Sequence, residues 1–202
     1  NLNSEGVFCN LSTGEEEIIK NGATHTSCTI EKLNLREEYD IAVIDEIQMI
    51  NDSQRGAAWT RALVGLRCKE IHVCGALNTK ELLKKILDDC NDSYEIKEYT
   101  RNTPLEVEYK NFNIREAQDG DAIVVFSKKR VLEIASEYSN IGIKASIIYG
   151  DLPPEVRKMQ YNQFINKETK VLVTTDAIGM GVNLPIRRII FMSIRKFDGD
   201  EV

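Results

Sequence analysis

The 202 residues contain no Gly-x-x-x-x-Gly-Lys-Ser/Thr phosphate loop, so the usual backbone cradle for a triphosphate is absent from them. There are two His and no Cys-x-x-Cys pair, which removes any zinc-finger spacing. The five Cys (Cys9, Cys28, Cys68, Cys74, Cys90) are an odd number, and three lie inside apolar runs. They read as buried free thiols in a reducing compartment, not as a disulfide framework. No apolar run is long enough to span a bilayer, and no basic-then-apolar signal pattern opens the chain, so no membrane role is expected. Positive charge is not in excess. The formal net charge of −6 means that any nucleic-acid affinity must come from a local groove, not a basic patch. No repeat or low-complexity segment occurs. The chain starts at Asn1 and not at Met, which reads as a piece of a longer or processed product.

What is present is an alternation of short strands and amphipathic helices. Hydrophobic residues make up 42% and charged residues 29%, as in a globular protein. Strands are predicted at 7–11, 41–45, 71–75, 94–99, 105–109, 122–126, 144–149, 170–174 and 188–193. Residues 41–44, 123–126 and 171–173 are apolar throughout, the pattern of parallel strands covered on both faces. Helical spacing recurs in Trp59, Ala62, Leu63, Leu66, in Leu83, Ile86, Leu87, Cys90, and in Val131, Ile134, Ala135, Tyr138. Ser53, Asn78 and Ser127 are expected as N-caps, and Pro153-Pro154 as the start of a helix. The class is α/β with mainly parallel sheets. The segment TRNTP (100–104) breaks the series and divides the chain into 1–103 and 104–202. Each part is small for a complete doubly wound domain, so two partial domains are expected.

Two segments carry chemistry. The first is IAVIDEIQMI (41–50). Asp45 at a strand end can hold Mg²⁺, and Glu46 beside it can orient or deprotonate a water. Gln48 can hydrogen-bond a γ-phosphate or a neighbouring strand tip. The plainer alternative is an acidic turn after a buried strand. The second segment runs from Val171 to Phe191, where Thr174, Thr175 and Asp176 lead into a Gly-rich stretch that lets a ligand approach the backbone.

At these residues the chain resembles the DExH/D-box helicases of superfamily two, and more narrowly the mitochondrial-degradosome RNA helicase family and its bacterial relatives. VIDEIQMINDSQRGAAWTRALVGL (43–66) and TTDAIGMGVNLPIRRIIF (174–191) carry the likeness, which extends from GVFCNLSTGEE (6–16) to RRIIFMS (187–193). The resemblance implies two partial RecA-like domains of the P-loop NTPase class: the C-terminal part of a first and the N-terminal part of a second. It implies Asp45 (with Mg²⁺) and Glu46 as the acids that act on ATP, and Gln48 as the residue coupling them to the next motif. Cys74, Gly75 and Ala76 fall where many relatives have Ser-Ala-Thr. Without those hydroxyls, backbone or Gln48 contacts must do the coupling. Thr29 (in SCTIEKL), Ser127, Lys128 (in VVFSKK), Gly150 (in IYGDLPPEVR), Thr174 and Thr175 are implied to meet the nucleic-acid backbone. Thr29, Ser127, Gly150 and Thr175 have plainer readings as caps or turns, and Lys128 as part of a solvated lysine pair. Gly181 and Asn183 are implied to face the nucleotide. Arg187 and Arg188 read better as salt-bridging or surface residues than as arginine fingers.

The resemblance further implies an ATP-dependent RNA helicase acting in RNA decay, with Mg²⁺ as cofactor, single-stranded or partly duplex RNA as ligand, and an exoribonuclease as partner. The location implied is the mitochondrial matrix or, in a bacterium, the cytoplasm. The phosphate loop is expected before Asn1 and the arginine-finger motif after Val202, so the isolated chain is expected to be inactive. Two other readings stay open at this point: a nucleic-acid or protein binding module without ATPase activity, and a RecA-like DNA translocase.

Overall fold

A computed structural model describes residues 2–14, 16–100, 102–179 and 183–196. The chain divides into two compact units, Asn1–Asn102 and Thr103–Val202, a division that falls within the TRNTP segment. The α/β class with mainly parallel strands is observed in both.

In the second unit, four parallel strands run in the order β7 (Ala145–Ile148), β8 (Val171–Thr174), β6 (Asp121–Val124), β9 (Arg188–Phe191). Helices α3 (Lys128–Asn140) and α4 (Pro154–Ile165) link them. The apolar runs alternate between two cores. Ile123, Val125, Val171 and Val173 pack with Val131, Ile134 and Tyr138 of α3. Ala122, Ile148 and Leu172 pack with Phe164 of α4. Burial on both faces is why these strands need no polar alternation.

The first unit has a small sheet in the order β2 (Glu17–Ile18), β1 (Cys9–Ser12), β3 (His25–Cys28), and a separate parallel pair, β4 (Glu38–Ile44) with β5 (Arg67–Val73). Helices α1 (Gly56–Gly65) and α2 (Lys80–Asp89) accompany the pair. Ile44, Ile47, Trp59, Ala62 and Leu63 form its core, with Leu83, Ile86 and Leu87 of α2 packed against them.

Several expectations are corrected. Residues 94–99 and 105–109 are not strands. Their aromatic and β-branched residues favour extended chain, but ladder formation needs a partner edge, and Tyr99, Leu105 and Tyr109 are exposed. The run 41–44 is not covered on both faces: Ile41 and Val43 are 62% and 67% exposed, while Ile44 faces the core. Of the five free thiols only Cys9 is buried. Asp52, not Ser53, accepts the amide N–H groups of Gln54 and Arg55 before α1. Thr79, not Asn78, sits at the N-cap of α2. Ser127 does cap α3, accepting from the Arg130 amide at 3.2 Å, and Pro154 does open α4.

Candidate functional site

The carboxylates stand at the exit of β4. Asp45 is exposed, and its Oδ1 accepts the Glu46 N–H at 2.9 Å. Its other oxygen is left for a hard cation, which takes one or two carboxylates together with phosphates and waters. Asp45 therefore fits a Mg²⁺ ligand. Glu46 adopts the left-handed conformation, φ 53°, uncommon for a residue with a side chain. That turn lets Ile47 drop into the core and sends Gln48 back across the strand exit.

Gln48 joins the two motifs. Its Nε2 donates to Glu46 Oε2, and its Oε1 accepts the Ala76 N–H at 3.1 Å. The Ile47 N–H donates to the Cys74 carbonyl at 3.0 Å, and the Cys74 N–H to Ile44 at 2.9 Å. Gly75 is required by this approach, since a Cβ there would lie 2.6 Å from both Gln48 Oε1 and Ile47 Cγ2. The Cys74-Gly75-Ala76 segment thus connects to the acids through backbone groups and one amide side chain, with no hydroxyl.

Thr29 precedes a short 3-10 turn (Ile30–Lys32), but its hydroxyl makes no capping bond and the residue is exposed. Two residues on, Arg55 Nη2 donates to Glu31 Oε1 at 2.9 Å, and this guanidinium holds the Glu31 carboxyl below the usual range.

In the second unit, the exits of β6, β7 and β8 share one edge. The Val125 N–H donates to Thr174, and the Thr175 N–H to Ile148. Lys128 Nζ lies 5.0 Å from the centre of the Tyr149 ring, so the exits of β6 and β7 meet across β8. Gly150 is exposed, and a Cβ there would meet nothing within 4 Å. Local packing therefore does not demand glycine at this position, whereas close approach of a ligand to the backbone would. Thr175 accepts the Ala177 N–H at 3.3 Å as the cap of a short turn. Thr174 is fully buried, with its hydroxyl on the Thr175 carbonyl, so it supports the edge and does not reach a ligand. Asn183 is exposed, and Gly181 lies outside the described residues.

Arg187 and Arg188 open β9, at the end of the sheet opposite Thr175. Arg188 Nη2 donates to buried Asp121 at 2.8 Å, its Nη1 reaches Glu108 at 3.2 Å, and its guanidinium stands over Phe112. Arg187 lines a cavity of about 610 Å³ at this end, with Lys144, Lys167 and Lys170. Lys167 follows the end of α4 and complements its negative pole. Sequence reasoning missed the supporting side chains of both sites. Trp59 was readable only as a core position, yet its indole N–H donates to the Asp45 carbonyl at 3.0 Å. Tyr149 carried no signal beyond standing next to Gly150.

Residues 1–99 match the DEXQ-box helicase domain of Suv3, and residues 105–200 match the helicase conserved C-terminal domain. The chain is 42% identical to "ATP-dependent RNA helicase SUV3L, mitochondrial" of Oryza sativa subsp. japonica, covering 100% of this chain and 28% of that protein. It is 44% identical to "ATP-dependent RNA helicase SUV3, mitochondrial" of Candida albicans, covering 100% of this chain and 29% of that protein. The chain therefore spans less than a third of the length of these relatives. Among solved structures, S. cerevisiae Dbp5 bound to RNA and ADP BeF3 matches with TM-score 0.63 and 17% identity, over 95% of this chain and 56% of that one. At that identity the likeness concerns the fold, which is RecA-like. Matched in this way through both halves, the chain belongs to the Suv3-type DEXQ-box helicases.

Proposed function

We propose that this chain forms part of the motor of an ATP-dependent RNA helicase, in which Asp45 and Glu46 serve hydrolysis and the second unit's strand-exit edge grips the RNA backbone. The observation that carries the reading is the Gln48 bridge, which ties Glu46 to the Ala76 amide by one side chain. An acidic surface turn would need no such link.

Asp45 would hold Mg²⁺, which when bound neutralises charge on the phosphate oxygens. Glu46 accepts the proton of the attacking water, and Gln48 orients that carboxylate. Movement of the Cys74-Gly75-Ala76 segment shifts Gln48 and thereby the base. Lys128, Thr175 and Gly150 contact phosphates and leave base edges unread, so binding is insensitive to sequence. Phosphate contacts alone accommodate RNA and DNA. The helicase names of the relatives favour RNA, and "mitochondrial" in those names favours that compartment. Coupling to an exoribonuclease fits a role in RNA decay.

Glu46→Gln in the full-length protein tests the reading. ATP binding should persist while turnover falls by about 10²–10⁴, the usual worth of a general base. Single-turnover hydrolysis equal to the unaltered protein would remove Glu46 from this role. The 202-residue chain alone should hydrolyse no ATP above background, since it contains no phosphate loop.

A further inference from the structure

A second set of contacts leads into the acidic turn from the other side. The Trp59 indole donates to the carbonyl of Asp45, the peptide unit that joins the Mg²⁺-binding candidate to Glu46 in its left-handed turn. Trp59 is 5% exposed, so its ring cannot shift without disturbing the core around Ile44 and Ile47. The Arg55 guanidinium stands 5.2 Å from the Trp59 ring centre. Both Arg55 Nε and Nη2 donate to Glu31 Oε1, at 3.1 and 2.9 Å. Arg61 Nη2 reaches the Glu31 carbonyl at 3.4 Å. Glu31 is two residues from Thr29, whose hydroxyl is left uncommitted, and Ile30 between them packs on the same core.

Resting on the function proposed above, we propose that Glu31, Arg55 and Trp59 are positioning residues that couple strand binding at Thr29 to the setting of the Asp45–Glu46 turn. Arg55 has two arrangements of similar energy. One is the observed pairing with Glu31, at side-chain exposures of 46% and 47%, where an ion pair is worth little. In the other, Arg55 turns to a backbone phosphodiester arriving beside Thr29, a singly charged competitor that can accept from the same guanidinium N–H groups. The exchange changes the load on the Trp59 ring, and through the indole N–H the carbonyl that fixes the acidic turn. Neither Glu31 nor Arg55 touches ATP or performs chemistry.

The test uses the full-length protein with poly-U as probe, measuring kcat for ATP without RNA and at saturating RNA. In Glu31→Gln, RNA-free kcat and the thermal midpoint should stay near those of the unaltered protein, and Arg55→Gln should keep the same thermal midpoint. The ratio of stimulated to RNA-free kcat should fall by roughly two- to thirtyfold, the span of coupling through such networks. The double variant should be no worse than the stronger single one, because both remove the same link. Trp59→Phe keeps the ring and loses the donor, and should lower the same ratio. An unchanged ratio in Glu31→Gln and Arg55→Gln, or effects that add in the double variant, would overturn the coupling. Failure of the underlying reading looks different: RNA-free turnover would then no longer depend on Glu46.

Discussion

Two runs of similar composition, IAVI at 41–44 and AIVV at 122–125, end up in different surroundings. In the second unit every residue of the run is buried, Ile123 completely, because α3 covers one face of the sheet and α4 the other. In the first unit Ile41 is 62% and Val43 67% exposed, because among the described residues β4 pairs only with β5 and α1 packs on one face. Of the buried apolar side chains among the described residues, six lie in the first unit and fourteen in the second. The acids proposed for hydrolysis are thus carried on the weaker scaffold and the proposed backbone grip on the stronger one. An apolar run specifies a strand, while how many of its faces are covered depends on elements distant in sequence.

The largest expected effect contrasts the two structural arginines. Arg188→Ala leaves the Asp121 carboxylate buried without a counter-charge, with the Gln118 N–H still on its Oδ2, and should cost the second unit about 3–5 kcal/mol. Arg55→Gln breaks an exposed pair in the first unit and should cost no more than about 1 kcal/mol. Urea denaturation of the 202-residue chain would compare them, and equal losses would erase the distinction between the scaffolds. Next, Ile123→Ala should cost about 2–5 kcal/mol, and Ile41→Ala about 0.5 kcal/mol or less. Because Trp59 is the single Trp, its fluorescence reports the first unit alone. Its transition should occur at lower urea than the main loss of helical circular dichroism. Coincident transitions would mean that the units unfold as one.

The second unit was largely legible in the sequence. Unbroken apolar runs at 123–126 and 171–173 mark buried parallel strands, and Ser127 and Pro154 mark helix starts, so burial pattern and local chemistry agree there. The first unit was less so. His25–Cys28 is a strand of mostly exposed, largely polar residues that exists because it pairs in parallel with Cys9–Ser12, a non-local fact. Residues 105–109 have the right composition for a strand and are tied down instead by Glu108 on Arg188, 80 residues away. The acids and Gln48 could be named from their spacing. The need for a Gln48 or backbone contact followed from the missing hydroxyls at Cys74-Gly75-Ala76. The Arg55–Glu31 pair spans 24 residues and has no periodic signal, so only the structure reveals what steadies the turn.

A defect inside the stronger scaffold carries a small expected effect of the opposite sign. The Tyr138 side chain is completely buried in the α3-side core, and its hydroxyl has no hydrogen-bond partner among the described residues. Burial, reinforced by nearby Asp121 and opposed by Arg188, pushes its pKa up to about 12. A buried hydroxyl without a partner costs about 1–3 kcal/mol. Tyr138→Phe keeps the ring and should stabilise the second unit by about 1 kcal/mol, against the usual direction for a core substitution. The pH dependence gives an independent check. An unfolded tyrosine ionises near pH 10, so the unfolded state loses its proton first. Stability linked to Tyr138 is therefore fully present below about pH 10 and falls as pH rises toward 12. In Tyr138→Phe that alkaline decline should be shallower. A destabilised Tyr138→Phe protein, or the same alkaline slope in both proteins, would mean that the hydroxyl is satisfied and that the second unit's core carries no such flaw.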